Sequence, residues 1–146
     1  MQFDISVTSS AASTTGFASN VTGATWTLTA TEVGDSLAHK ATVLNDSATD
    51  HTGKTITLAG TSPDGEPQTE DIAGPDASAT VTSTKYYLTL TSVTVDATIG
   101  ADTFDIGWAA ASVSPTEKVN SKGVWGGIGF GCYVTSGSPT YGVQVA

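Results

Sequence analysis

The sequence has no arginine and only one cysteine, Cys132, among its 146 residues. Its 14 acidic residues face five lysines, which gives a formal net charge of −9. Nucleic acid is therefore not an expected partner, because phosphate binding relies on clustered cations. A single cysteine cannot close an internal disulfide, so we expect Cys132 to be a small buried side chain.

Long apolar runs are also missing. No segment approaches the roughly 18 residues that a membrane span requires. The first ten residues lack the basic and apolar regions of a signal peptide. We therefore expect a protein that is made in the cytoplasm and has no membrane partner.

The sequence is rich in small and hydroxylated residues and poor in large apolar ones. Threonine, alanine, serine and glycine make up about half of the chain. The 26 threonines, 13 valines and 6 isoleucines far outnumber the helix-forming leucine, lysine, glutamate, glutamine and methionine residues. This composition predicts an all-β domain with a single core.

The chain divides into three predicted regions. Residues 1–23 are predicted to form an extended N-terminal arm, because residues 8–23 contain only Phe17 and Val21 as large apolar residues. Residues 24–113 are predicted to form a β-sandwich of antiparallel hairpins. Residues 114–146 are predicted to form a glycine-rich C-terminal β-hairpin that completes the sheet or builds an interface between subunits.

Alternating apolar residues predict the strands of the sandwich. Residues 24–31 and 37–45 are predicted to pair as one hairpin. Residues 54–60 and 68–73 are predicted to pair as a second, around a turn in which Gly65 takes a positive φ. Residues 85–95 predict a long strand with a β-bulge near residues 91–92, where the alternation changes parity. Phe104, Ile106 and Trp108 predict a further strand.

The two histidines and the nearby acidic residues suggest little chemistry. A Ser-His-Asp site needs a base that an acid orients toward a serine, and nothing near His39 or His51 in the sequence supplies one. We expect His39 to be an exposed or hydrogen-bonded strand residue. Asp46 and Asp50 could hold calcium, but their spacing lacks the pattern of a calcium loop and a solvated Asx-turn is the simpler interpretation.

An acidic cluster and a glycine repeat are two further candidate sites. Two carboxylates can cleave a glycosidic bond, and Asp64, Glu66, Glu70 and Asp71 are close in sequence. However, Glu70 and Asp71 should point to opposite faces of a strand, and the other two should lie at a hairpin tip. Residues 127–131 superficially resemble a phosphate-binding loop but lack the helix that must follow one. We expect no enzymatic activity and no cofactor.

The aromatic residues could build a sugar-binding platform or fill the core. Trp26, Tyr86 or Tyr87, Phe104 and Trp108 are the predicted core fillers, because leucine and isoleucine are scarce. Trp125 and Tyr133 lie beside glycines and are predicted to be interface residues.

Two sets of residues are predicted to bind partners. The anchors of the arm are Phe3, Ile5, Val7 and Phe17. The second set is Trp125, Gly127, Gly129, Gly131 and Tyr133. The three glycines alternate along one strand face, where another backbone can approach closely because no Cβ stands in the way.

Residues 51–109 resemble a recurring pattern in virion proteins of tailed bacteriophages. The similar elements are the strand at residues 54–58, the Asp64-Gly65 hairpin, a Thr-Glu pair before Gly74-Pro75, and residues 83–87 and 92–95. Such patterns occur in decoration proteins, head fibres and tail components. The resemblance carries no catalytic residues over, since the family is structural.

This resemblance implies a capsid decoration (cement) protein on the outer surface of the virion head. Its partner would then be the major capsid protein, and it would form a homo-oligomer, with a trimer favoured. Two alternatives stay open at this point: another virion component, such as a tail or head-to-tail protein, and a host-surface adhesin that binds carbohydrate.

Overall fold

The computed structural model describes residues 7–110 and three short strands beyond them. The described residues form strands and loops, and they contain no helix. The strands are β1 (Val7–Thr8), β2 (Ser13–Val21), β3 (Thr25–Trp26), β4 (His39–Asn45), β5 (Thr55–Thr61), β6 (Pro67–Ala73), β7 (Thr80–Tyr87), β8 (Thr89–Val95), β9 (Phe104–Trp108), β10 (Phe130–Gly131), β11 (Thr140–Tyr141) and β12 (Gln144–Val145).

Eight of these strands form two four-stranded antiparallel sheets. The first sheet has the order β2-β9-β4-β7, and the second has the order β3-β8-β5-β6. Val43 and Ile106 of the first sheet and Leu58 and Val93 of the second are fully buried in one shared core. The chain is therefore an all-β protein with a β-sandwich architecture, as predicted.

Aromatic residues complete this core. Trp26, Tyr87 and Phe104 are buried, and Trp108 is partly buried against the core, as predicted. Tyr86 points away from the core, and the Lys40 ammonium lies 5.2 Å from the centre of its ring. Full burial of one large apolar side chain contributes roughly 1.5 to 3 kcal/mol, so a few rings supply much of the apolar stabilisation of a chain with few leucines.

The predicted second hairpin is confirmed. β5 and β6 pair over their full length, from Thr55 opposite Ala73 to Thr61 opposite Pro67. Gly65 has a φ of 82° in the connecting turn, which a residue with a Cβ rarely adopts. Ile56 and Leu58 of β5 face the core and are fully buried.

The long strand predicted for residues 85–95 is two strands in two sheets. β7 belongs to the first sheet and β8 to the second, and the chain crosses between them at Leu88. Tyr87, before the crossing, and Leu90, after it, both point into the shared core. Apolar residues therefore continue through the crossing, and the sequence resembles one strand. The predicted bulge is confirmed: Ala59 pairs with Ser92 and the next residue of β5 pairs with Leu90, so Thr91 is the extra residue.

The predicted first hairpin is wrong. β3 spans only Thr25–Trp26 and pairs with β8 in the second sheet, whereas β4 pairs with β9 and β7 in the first. The alternation of residues 24–31 reflects side chains such as Leu28 that pack against the core outside any ladder. Two main-chain nitrogens of this segment instead donate to the carbonyl oxygen of Phe17, at 2.8 and 3.3 Å.

The structure also corrects the predicted N-terminal arm. β2 lies inside residues 1–23, yet it pairs with β9 as an edge strand of the first sheet. Phe17 was predicted to anchor on a partner, but it is only 2% exposed and belongs to the core of its own chain. Pairing shifts between Ser13 and Ala18 interrupt the ladder, and these irregularities hide the strand from its sequence pattern.

Short strand pairs involve the two ends of the chain. β1 pairs with β11, so Val7 lies opposite Tyr141. β10 pairs with β12, so Gly131 lies opposite Gln144. Among the described residues, no helix could cross a membrane.

Candidate binding surface

The outer face of the second sheet carries short, mostly hydroxylated side chains. Ile56, Leu58 and Val93 point into the core, so the residues between them in β5 and β8 point outward. The outward positions are Thr25, Thr55, Thr57, Ala59, Thr61, Pro67, Thr69, Asp71, Ala73, Thr89, Ser92 and Thr94. We call this surface the hydroxyl face.

Cross-strand hydrogen bonds order the hydroxyl face. Thr61 Oγ1 and Thr89 Oγ1 are 2.8 Å apart, and the Thr57 hydroxyl donates to Asp71 Oδ1 at 2.7 Å. The bulged Thr91 is exposed, and its hydroxyl donates to the Ala59 carbonyl oxygen at 3.2 Å. Asp71 carries the only charge among the positions of this face. The surface therefore presents threonine methyl groups and partly paired hydroxyls in a fixed arrangement.

Side chains close the edge of the sandwich where β6 meets β7. The Glu70 carboxylate accepts hydrogen bonds from the main-chain nitrogens of Thr84 and Lys85, at 2.7 and 3.1 Å. Lys85 Nζ donates to the Thr69 carbonyl oxygen at 2.6 Å, and Gln68 Nε2 donates to the Tyr86 carbonyl oxygen at 2.5 Å. Because these contacts occupy main-chain groups of two edge strands, they protect this edge from pairing with another chain.

The same contacts set the ionisation of Glu70. Partial burial raises the pKa of Glu70. The hydrogen bonds from the hydroxyl and nitrogen of Thr84, from Lys85 and from Tyr87 lower the pKa by more than burial raises it, so the net pKa is below its ordinary value. Burial and the neighbouring Glu70 carboxylate together raise the pKa of the Tyr87 hydroxyl. Glu70 therefore holds the two edge strands together as an anion.

A buried pair anchors the loop between β3 and β4. His39 is 1% exposed; its Nε2 lies 2.8 Å from Asp35 Oδ2 and its Nδ1 lies 3.0 Å from the Ala109 carbonyl oxygen. Of the two alternatives predicted for His39, an exposed or a hydrogen-bonded strand residue, the second is confirmed and the first is wrong. Burial raises the pKa of Asp35, but hydrogen bonds from Ser10, Leu37 and His39 outweigh burial and lower the net value.

His51 connects two loops at the end of the sandwich opposite to the one that holds Asp35 and His39. His51 Nε2 lies 2.9 Å from Asp102 Oδ2, and this hydrogen bond is the main reason that the pKa of Asp102 is lowered. The ring of His51 packs edge-on against Phe104, with the centroids 5.1 Å apart. The buried Nδ1 of His51 has no hydrogen-bond partner among the residues that the structure describes.

The candidate calcium ligands have separate surroundings. Asp50 Oδ1 accepts a hydrogen bond from the Thr52 nitrogen, which is the predicted Asx-turn. Burial and the nearby Asp105 carboxylate raise the pKa of Asp46. Across the part of the chain that the structure describes, no three histidine, cysteine, aspartate or glutamate side chains are grouped to hold a metal ion.

The acidic cluster of the sequence does not form one site. Glu70 faces β7 while Asp71 lies on the hydroxyl face, so the prediction that they point to opposite sides is confirmed. Asp64 and Glu66 lie at the exposed tip of the β5-β6 hairpin, also as predicted.

Most of the predicted partner residues lie outside the part of the chain that the structure describes. Phe3, Ile5, Trp125, Gly127, Gly129 and Tyr133 are outside the described residues, as is Cys132. Val7 and Gly131 lie in β1 and β10. Sequence reasoning did not identify the hydroxyl face, although alternating threonines in residues 55–61 and 89–94 were a usable signal.

Comparison of the chain with models of protein families, with curated proteins and with solved structures finds no match.

Proposed function

We propose that this protein is a structural component of a tailed-bacteriophage virion, and specifically a decoration protein that binds the outer surface of the assembled head. The proposal starts from the sequence resemblance of residues 51–109. This segment contains β5 to β9, which include two strands of the first sheet and three of the second. The single structural observation that supports it is the hydroxyl face, which β5, β6 and β8 largely build.

The hydroxyl face suits contact with a large, regular protein surface. Its short side chains lose little conformational freedom on contact, and cross-strand hydrogen bonds such as Thr61 to Thr89 already order them. With Asp71 as its single charge, the face presents little electrostatic repulsion in a protein of net charge −9. We therefore propose that the major capsid protein binds there through van der Waals and hydroxyl contacts.

The size of the face favours binding in many copies. Four strands about 4.8 Å apart and about 20 Å long cover at most roughly 400 Å². A standard protein interface buries about 800 Å² on each partner, so one hydroxyl face alone would bind weakly. A homo-oligomer on a repeating lattice overcomes this limit, because linked copies bind with a high effective concentration.

The oligomer is proposed to use the sequence-predicted interface. Residues 127–131 would offer their glycine face to a neighbouring subunit in a trimer, flanked by Trp125 and Tyr133. Gly129→Val should then shift the protein toward monomers, as light scattering would measure, while Gly53→Val in the β4-β5 loop should not.

Co-sedimentation with expanded, protein-depleted heads of the phage that encodes the chain tests the proposal. Ser92→Lys places a cation in the middle of the hydroxyl face and should abolish binding. Thr82→Lys is the matched control, because Thr82 is exposed on the outer side of the first sheet. Heads that bind neither the wild type nor the control would contradict the decoration role, and binding to purified tails instead would favour a tail component.

A further inference from the structure

A pocket with apolar walls lies at the end of the sandwich where β7 passes into β8. Its volume is about 320 Å³, near the lower end of the roughly 300 to 1,000 Å³ found for small-ligand sites. Val33, Leu37 and Leu88 supply its aliphatic walls, and Ser36, Thr89 and Glu32 supply its polar groups. This volume is large enough for an aliphatic side chain together with part of the chain that carries it.

The main chain holds the walls of this pocket in place. Asp35, inside the lining loop, accepts hydrogen bonds from the nitrogens of Ser10 and Leu37 at 2.7 and 3.0 Å and contacts the buried His39. On the opposite wall, the Leu88 nitrogen donates to the Thr61 carbonyl oxygen at 2.9 Å. The three aliphatic side chains are nevertheless only partly buried. The pocket is thus a preformed surface of aliphatic and polar groups that remains open to a ligand.

Ser36 adds backbone strain to the lining loop. Its φ is 61°, in the left-handed region that residues with a side chain rarely adopt. Gly34 in the same loop has a φ of 91°. Asp35 lies between Gly34 and Ser36, and its hydrogen bonds with Ser10, Leu37 and His39 hold the loop in this conformation.

The charges around the pocket are negative. Glu32 lies in its lining, and the β5-β6 hairpin at the same end of the sandwich carries Asp64 and Glu66. Two of the three lysines among the described residues, Lys40 and Lys85, lie on β4 and β7 near this end, but each contacts another group. Lys40 lies over the Tyr86 ring and Lys85 donates to Thr69, while Lys54 lies at the opposite end, just before β5. A ligand that carries a positive charge next to its apolar part complements this site.

We propose that the pocket binds a leucine-like aliphatic side chain of a polypeptide partner that has a lysine or arginine beside it. The aliphatic group contacts Val33, Leu37 and Leu88, and the neighbouring cation lies near Glu32. The pocket shares Thr89 with the edge of the hydroxyl face, but its aliphatic walls lie outside that face, and this proposal does not depend on the decoration role.

The test is a titration of the full chain with three blocked peptides, followed by NMR of the methyl groups. Gly-Leu-Lys-Gly should shift the methyl signals of Val33, Leu37 and Leu88 saturably, with a Kd on the order of millimolar. The methyl signals of Val81, in the first sheet, should not move. Gly-Ser-Lys-Gly, which lacks the aliphatic side chain, should give no saturable shift, and Gly-Leu-Glu-Gly should bind more weakly than the lysine peptide.

Two matched variants test the role of charge. Glu32→Gln should weaken binding of the lysine peptide roughly 2- to 5-fold, and Glu66→Gln at the nearby hairpin tip should change it far less. Both residues are exposed, so neither substitution should unfold the protein. Absence of saturable shifts at the pocket methyl groups would overturn the proposal. Equal binding of the lysine and glutamate peptides would overturn it as well.

Discussion

Glu70 on one sheet accepts two hydrogen bonds from Thr84 on the other, from the main-chain nitrogen at 2.7 Å and from the hydroxyl at 2.6 Å. β6 and β7 are each the edge strand of their sheet, so no ladder joins them. One carboxylate thus takes the place of main-chain pairing along this side of the sandwich. Charge-assisted hydrogen bonds of this kind are stronger than neutral ones.

Glu70→Gln should lower the free energy of unfolding by about 1 to 2 kcal/mol. The amide keeps the shape of the carboxylate but has one acceptor oxygen for the several donors that Glu70 serves, and it loses the charge. Urea denaturation at neutral pH measures the change. Glu66→Gln, at the exposed hairpin tip, is the matched control and should alter stability by less than about 0.5 kcal/mol. Equal effects of the two substitutions would contradict the role assigned to Glu70.

The stabilisation by Glu70 should depend on pH. The net pKa of Glu70 is lowered in the folded protein from its ordinary value of 4.5, so the ionised form favours folding. Its contribution is fully present above that value and is lost as the pH falls through the lower, folded-state pKa. The stability difference between wild type and Glu70→Gln should therefore be constant at pH 6 to 7 and shrink below about pH 4.5. A stability difference that increases below about pH 4.5 would contradict this role of the ionised Glu70.

Gly107→Ala should loosen β2 from the first sheet. A Cβ on Gly107 would overlap the carbonyl oxygen of Ser13 and main-chain atoms of Thr14, which cannot move aside as a flexible side chain can. We expect a loss of about 1 to 3 kcal/mol in stability and faster hydrogen exchange of the amides in residues 13–21.

The control for this substitution is Gly53→Ala, because a Cβ on Gly53 meets nothing within 4 Å. It should leave stability and the exchange rates of β2 nearly unchanged. Unchanged exchange in Gly107→Ala would show that β2 does not depend on close approach to β9.

Local patterns in the sequence predicted those elements whose partners are close in the chain. The β5-β6 hairpin, with Gly65 in its turn, needs only alternation and turn chemistry. The bulge at Thr91 was visible because an extra residue shifts the parity of every side chain after it.

The errors arose where distant contacts decide the structure. β2 has few large residues, and only its pairing with β9, far along the chain, makes it part of the sandwich. Trp26 and Leu28 alternate because they pack on the core, not because they pair with β4. The contact between Asp35 and His39 depends on the path of the intervening loop, which no periodicity encodes.

We propose that the protein stabilises the assembled head through the hydroxyl face, on which Asp71 carries the only charge. A decoration protein that binds the lattice more tightly than free capsid subunits raises the resistance of the head to bursting by mass action. Contacts through the hydroxyl face should be insensitive to salt, whereas exposed ion pairs weaken between roughly 0.05 and 0.5 M salt.

The temperature at which heads release their DNA, measured with and without the protein at both salt concentrations, tests this claim most directly. We expect the protein to raise this temperature by a similar amount at both salt concentrations. A shift that disappears at high salt would contradict binding through the van der Waals and hydroxyl contacts of the hydroxyl face, and no shift at either concentration would contradict the decoration role itself.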